Sequence, residues 1–238
     1  MAEDRLKIWE TLFRRALVLI DSVSASGAEL TNWSFGGGTV LMRRHHHRFS
    51  KDIDIFIPDP QYLAYLTPRL NEIAESLTAD YVEEAESLKL RFPEGEIDFV
   101  ASAALTREPT TVESLFGRQV RVETSTEIVA KKLWHRGDRI AARDIFDVAM
   151  VAEMEAASLL TIKPVLRGRR DVVLARIAAQ DATLREDFAA LEVGRVRGGR
   201  PWILAERRRG TRYHEKQTCG FPFSWCRTAY LARRINER

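Results

Sequence analysis

Two aspartates one residue apart, Asp52 and Asp54, follow the run Gly37-Gly38-Thr39 after an interval of twelve residues. The aspartates lie among Ile53, Ile55, Phe56 and Ile57, a run that reads as a strand. In extended chain, residues two apart point to one face, so the two carboxylates converge while Ile53 and Ile55 turn to the core. Carboxylates held side by side repel, and a hard divalent cation that prefers oxygen ligands relieves the repulsion. The glycines stand between a strand-like stretch and a helix-competent one. There they permit a tight turn and bring backbone amides close to an anion at a helix start. Thr39 either adds its hydroxyl to that anion or caps the helix. Taken alone, the glycines are an ordinary turn and the D-x-D an exposed strand start; their spacing joins them into a cation-assisted phosphate site.

Other residue types along the chain could serve such a site. Asp98 interrupts the apolar run Ile97, Phe99, Val100, and an acid inside a core strand is costly unless it is paired or metal-bound. Lys131 and Lys132 follow Ile128 and Val129 in a helical pattern that begins near Glu127, with Ser125 or Thr126 as its cap. Such lysines are either solvated or directed at phosphate charge. Arg143, Asp144 and Asp147 are three and four apart on a helix, with Arg139 on the same face. This cluster orients the lysine, binds the nucleotide, or is a surface ion network worth ~0.3–0.5 kcal/mol per pair. His45, His46 and His47 are adjacent, so they diverge and do not ligate one ion together. With Arg43, Arg44, Arg48 and Lys51 they read as a basic rim or a solvated loop.

The elements that must position these residues follow from periodicity. An amphipathic helix is expected over residues 4–23, a short strand over 32–35, and a helix from 39 to 44. Pro58 and Pro60 close the D-x-D strand, and residues 61–77 read as one helix with Leu63, Leu66, Leu70, Ile73 and Leu77 on one side. Strand-like runs at 81–84, 88–92 and 97–101 follow, the last two joined as a hairpin through P-E-G-E. Residues 102–117 lack a clear period, and 119–123 alternate like an edge strand. From about residue 127 to 191 the pattern is helical, with interruptions at 163–164 and near Gly168. The expectation is an α/β (α+β) fold with a small mixed sheet and a C-terminal helical part. Its segments are a core over 1–123, helices over 124–194 and a basic tail over 195–238.

Length and composition are consistent with this. The 238 residues are 45% apolar and 30% charged with a net charge of +3, enough to bury a core. No apolar run approaches the ~20 residues of a membrane span. The first ten residues lack the features of a secretory signal, so a cytoplasmic protein with no membrane partner is expected. Cys219 and Cys226 match no common metal or redox spacing. Residues 195–238 hold twelve Lys and Arg against three Glu, with Trp202, Tyr213, Phe221, Phe223 and Trp225 interleaved. Such a tail suits RNA binding through phosphate contacts and stacking.

G-G-T, twelve residues and D-x-D on a strand resemble the signature of the DNA polymerase beta type nucleotidyltransferases. The run EIVAKKLWHRGDRIAARDIFDVAMV at 127–151 is similar to the lysine helix and R-D-x-x-D segment of AbiEii-like nucleotidyltransferase toxins. The resemblance covers about residues 30–190 and leaves the tail unmatched, as a segment out of register with the family also would be. It implies a polymerase-beta-like core and magnesium or manganese on Asp52, Asp54 and Asp98. Gly37, Gly38 and Thr39 would hold the phosphates of a nucleoside triphosphate. Asp98 would alternatively deprotonate the acceptor hydroxyl, and Lys132 would act in catalysis. Lys131, Arg143 and Asp144 would contact the nucleotide, with Asp144 ranked ahead of Asp147. The implied role is the toxin of a type IV-like toxin–antitoxin pair, acting on RNA or tRNA and neutralised by a separately encoded antitoxin. Two other readings stand beside it. One is a non-catalytic RNA- or protein-binding module built on this fold. The other is a D-x-D glycosyltransferase, which needs a larger nucleotide-binding domain than the roughly fifty residues before Asp52 supply.

Overall fold

In the computed structural model, which describes residues 7–192, helix α1 spans Ile8–Ala25 and buries Trp9, Leu12, Phe13, Ala16, Leu19, Ile20 and Val23. Those positions repeat at three and four residues, the period that lays one face of a helix on a sheet. Strand β1, Ser34–Gly36, runs directly into α2, Gly37–His45, and β2 is Ile53–Ile57. Ile53, Ile55 and Ile57 are buried, as their alternation requires, and Phe35 joins Trp9 and Phe13 in an aromatic cluster with Phe13–Phe35 centroids 4.6 Å apart.

The single helix expected over 61–77 is two short ones, α3 (Leu63–Leu66) and α4 (Glu72–Leu77). Pro68 explains the break, since the residue before a proline is driven out of the helical region, and Thr67 has φ −72° and ψ 136°. Asn71 restarts the helix by accepting from the amides of Ile73 and Ala74 at 2.9 and 3.1 Å. Leu70 and Ile73, expected on the inner face, are exposed.

Strands β3 (Tyr81–Glu83), β4 (Ser87–Phe92) and β5 (Gly95–Ala101) follow, with β4 and β5 joined as the expected hairpin. The stretch without period contains a strand, β6 (Thr110–Leu115), and β7 is Arg118–Glu123. The sheet order is β3-β4-β5-β2-β1-β7-β6, so β6 is the edge and β7 lies inside, parallel to β1. The edge position explains why β6 was silent in the sequence, because most of its side chains face water and carry no apolar alternation. The sheet is mixed, with β2 antiparallel to β1 and parallel to β5.

Helix α5 spans Ser125–Arg136. Thr124, rather than Ser125 or Thr126, caps it, its Oγ1 accepting from the Glu127 amide at 3.2 Å. Helices α6 (Ala142–Met154), α7 (Ala156–Leu159), α8 (Lys163–Ala179) and α9 (Asp181–Ala189) complete the described chain. Pro164 sits in the first turn of α8, where its missing N–H costs nothing, and α8 runs unbroken through Gly168. The described residues fall into two compact units, one of residues up to 44 with 49–128, the other of 45–48 with those from 129. The expected basic tail and both cysteines lie outside the described residues.

Candidate active site

The site begins where β1 becomes α2. Gly37 has φ +72°, a left-handed conformation that glycine adopts without steric cost. A Cβ on Gly37 would collide with the Asp54 side chain, and one on Gly36 with the carboxylate of Glu123 and the ring of Phe56. The backbone at the start of α2 therefore lies directly against Asp54. Register explains why. Gly36 pairs with Asp54 across β1 and β2, and Asp54 pairs with Asp98 across β2 and β5. Paired positions share a face, so turn and carboxylates stand in a row across three strands.

Asp98 is mostly buried, and its carboxyl is pushed up to about 6 by that burial first and by the charge of Asp54 second. The next strand offers a partial remedy. Lys89 on β4 pairs with Asp98 in register and donates to its Oδ2 at 3.0 Å, and to Glu96 at 2.6 Å. Burial works against the charge on Lys89, but its bonds to Glu96 and Asp98 hold the ammonium above its ordinary range.

Asp52 precedes β2 rather than lying in it, and its Oδ1 accepts from the Glu96 amide at 3.1 Å. Thr39 is fully buried. Its hydroxyl donates to the Asp52 carbonyl at 2.6 Å and lies 3.1 Å from Ser50 Oγ, fastening α2 to the chain entering β2. Gly38 is buried in the first turn of α2.

The other expected site residues belong to the second unit. Lys131 and Lys132 are both buried, unlike solvated surface lysines. Lys132 donates to Asp144 Oδ1 at 2.5 Å and lies 3.2 Å from Asp147 Oδ2. Asp144 also accepts from the Ala141 amide at 3.3 Å and has Arg136 at 3.6 Å. Burial opposes its ionisation, yet Lys132 and Arg136 keep its carboxyl below the ordinary range. The polar cluster expected around Arg143 and Arg139 is assembled with other cations, because both of these arginines are exposed while Lys132, Arg136 and Arg48 face the aspartates. The basic rim is likewise divided among partners. Arg43 and Arg44 share Glu113, His45 meets Glu155 at 2.9 Å, and His47 and Arg48 are buried against Asp147.

A family model described as the nucleotidyl transferase AbiEii toxin of a type IV toxin–antitoxin system matches residues 24–206. The chain belongs to the AbiEii nucleotidyltransferase toxin family. It is therefore a nucleotidyltransferase, with a mixed α/β fold. Among solved structures it is similar to the antibiotic-resistance factor ANT(2'')-Ia, at 15% identity and TM-score 0.50, over 75% of this chain and 100% of that one. It is also similar to the nucleotidyltransferase toxin MenT4 of Mycobacterium tuberculosis H37Rv, at 17% identity and TM-score 0.41, over 74% of this chain and 65% of that one. No curated protein matches the chain. Among the described residues no helix is long and apolar enough to cross a membrane.

In an AbiEii-family chain the row Gly37, Asp54, Asp98 invites a divalent cation. Adjacent oxygen donors, one of them raised by burial and then by the charge of the other, fit a hard ion. Among the described residues no three His, Cys, Asp or Glu side chains gather closely enough to hold an ion together, so the fit rests on Asp54 and Asp98. The sequence gives four contributors to the two clusters no such role. Lys89 hides in the strand S-L-K-L-R-F, where its alternation with leucines was the available signal. Glu123 closes β7, is buried and accepts from Ser34 Oγ at 3.2 Å. His47 and Arg48 carried a positive-charge signal that pointed to the surface, whereas their partner lies a hundred residues on.

Proposed function

We propose that this AbiEii-family protein transfers a nucleoside monophosphate from a nucleoside triphosphate to an acceptor hydroxyl, RNA or tRNA being the acceptor class, with a divalent cation required. The observation that carries the reading is the row Gly37, Asp54, Asp98, in which a helix start and two carboxylates share one face of the sheet. The amides of Gly37 and Gly38 are suited to the polyphosphate. Thr39 contributes by holding α2 to the Asp52 segment. Magnesium or manganese bound by Asp54 and Asp98, with Asp52 beside them, would neutralise the triphosphate as charge develops on the leaving pyrophosphate. Asp98, paired in register with Asp54, is the candidate to accept the proton of the attacking hydroxyl. Lys132, Lys131 and Arg143 are the candidates for further positive charge, and Asp144 for holding Lys132.

The biological reading is a toxin with a protein antitoxin, working in the cytoplasm. Induced expression should arrest growth, Asp54→Ala should relieve the arrest, and the product of an adjacent gene should suppress it. Growth arrest that persists undiminished in Asp54→Ala would contradict the enzymatic account. RNA binding by purified protein without transfer of any nucleotide would favour the binding-module reading instead.

A further inference from the structure

Asp147 and the pair His47–Arg48 have no part in the chemistry described above, yet they form a buried, closely bonded polar group in the second unit. Asp147 and His47 are fully buried and Arg48 is 6% exposed. Asp147 Oδ1 accepts from His47 Nε2 and from Arg48 Nε, each at 2.6 Å. Its Oδ2 accepts from Arg48 Nη2 at 2.7 Å and has Lys132 Nζ at 3.2 Å. A carboxylate offers about four lone-pair sites. Three hydrogen bonds and the Lys132 ion pair engage both oxygens of Asp147 with the protein's own side chains.

Both carboxylates of the cluster are also compensated by cations. Burial lowers the affinity of His47 for a proton, although Asp147 acts the other way, and the ring stacks on Phe146 at 5.6 Å. Burial equally disfavours the Asp147 anion, but Lys132 and Arg48 outweigh it and keep the carboxyl far below its ordinary range. Two carboxylates, Asp144 and Asp147, thus face three permanent cations, Lys132, Arg136 and Arg48. An ammonium has three donors. With Asp144 accepting from one of them and Asp147 3.2 Å away, the ammonium of Lys132 is held from two sides.

We infer that Asp147 is a positioning residue for the transfer reaction, fixing the Lys132 ammonium and anchoring the His47–Arg48 segment that joins α2 to the strand bearing Asp54. The segment is covalently close to the chemistry, because Arg48 is four residues before Asp52 and His45 ends the helix that Gly37 begins. The inference rests on the proposed transfer reaction and the proposed role of Lys132 in it for its kinetic consequence, and on geometry alone for the state of Lys132.

The test uses the full chain and the Asp147→Asn variant, which keeps shape and removes charge. Expected are a fall in kcat of about 10²-fold, the cost of a misdirected charged donor, with KM for the nucleotide unchanged within about 3-fold. Expected too is loss of the slowly exchanging Lys132 ammonium signal in nitrogen-15 NMR, and its return in Asp147→Glu. A folded Asp147→Asn protein with unchanged kcat and an intact Lys132 signal overturns the inference. Should that variant fail to fold, Arg48→Lys keeps the cation but loses the paired bonds; a kcat within about 2-fold of wild type there overturns it equally. If the wild type transfers no nucleotide, the functional reading falls. The Lys132 signal then decides this inference on its own, and persistence of that signal in Asp147→Asn counts against it.

Discussion

Replacing Gly37 with alanine separates backbone strain from catalytic geometry, because the chain contains a matched control. Gly37 and Gly117 have nearly the same positive φ, +72° and +77°. An added Cβ at Gly117 meets nothing within 4 Å, whereas one at Gly37 collides with Asp54, whose Cγ and Cβ would lie 2.5 and 2.8 Å away. Left-handed backbone costs a non-glycine residue about 1–2 kcal/mol. Forcing Asp54 off its preferred rotamer adds about 0.5–1.5 kcal/mol. Gly37→Ala should therefore destabilise by about 1.5–3.5 kcal/mol and Gly117→Ala by about 1–2 kcal/mol. In a chain of this size that lowers Tm by roughly 3–14 °C and 2–8 °C, respectively. Activity should diverge far more, since displacing a catalytic group by about 1 Å can cost about 10²-fold. Differential scanning calorimetry and nucleotide transfer, both measured below the lower Tm, make the comparison. Equal activity in the two variants would refute the assignment of Asp54 and the Gly37 turn to one site.

Three further outcomes follow from the same geometry. A carboxyl raised in the folded state binds its proton more tightly than in the unfolded chain, so wild-type stability is favoured at low pH and is lost as pH rises from about 4 to about 6. Urea unfolding should accordingly show Asp98→Asn gaining on wild type by up to about 3 kcal/mol between pH 4 and pH 7.5 while losing transferase activity; a difference independent of pH would contradict the burial of an ionised Asp98. Millimolar magnesium should raise the wild-type Tm at pH 8 by mass action and leave that of Asp54→Asn unmoved, as read by thermal shift. Glu127 is fully buried and accepts from the amides of Leu105 and Thr106 and from Thr106 Oγ1, so Glu127→Ala should cost about 3 kcal/mol in urea unfolding without changing nucleotide affinity.

The parts of this fold visible in the sequence were those in which burial imposes a period. Ile53, Ile55 and Ile57 announced β2, and Ile97 and Phe99 announced β5, so the positions of Asp54 and Asp98 within those strands followed at once. What the pattern could not supply was register. That Asp54 faces Asp98 and Gly36, and that Lys89 answers Asp98, depends on pairings between segments that are far apart in the chain. Strand β6 escaped notice because an edge strand with one exposed face has no apolar period to display. The His45–Arg48 run was misjudged for a related reason. Charge in a sequence signals surface unless its partner is known, and the partner Asp147 belongs to a helix a hundred residues away. Asp144 and Asp147 were ranked by resemblance, whereas Asp147 makes the larger number of bonds.

The central claim is that the α-phosphoryl group, carrying its nucleoside, moves to the acceptor. Parallel reactions with α-labelled and γ-labelled nucleoside triphosphates, magnesium and bulk RNA test it directly. The account predicts α label on the RNA, γ label recovered as pyrophosphate, and loss of both signals in Asp54→Ala. Label from the γ position on the acceptor, or α label transferred undiminished by Asp54→Ala, would contradict it.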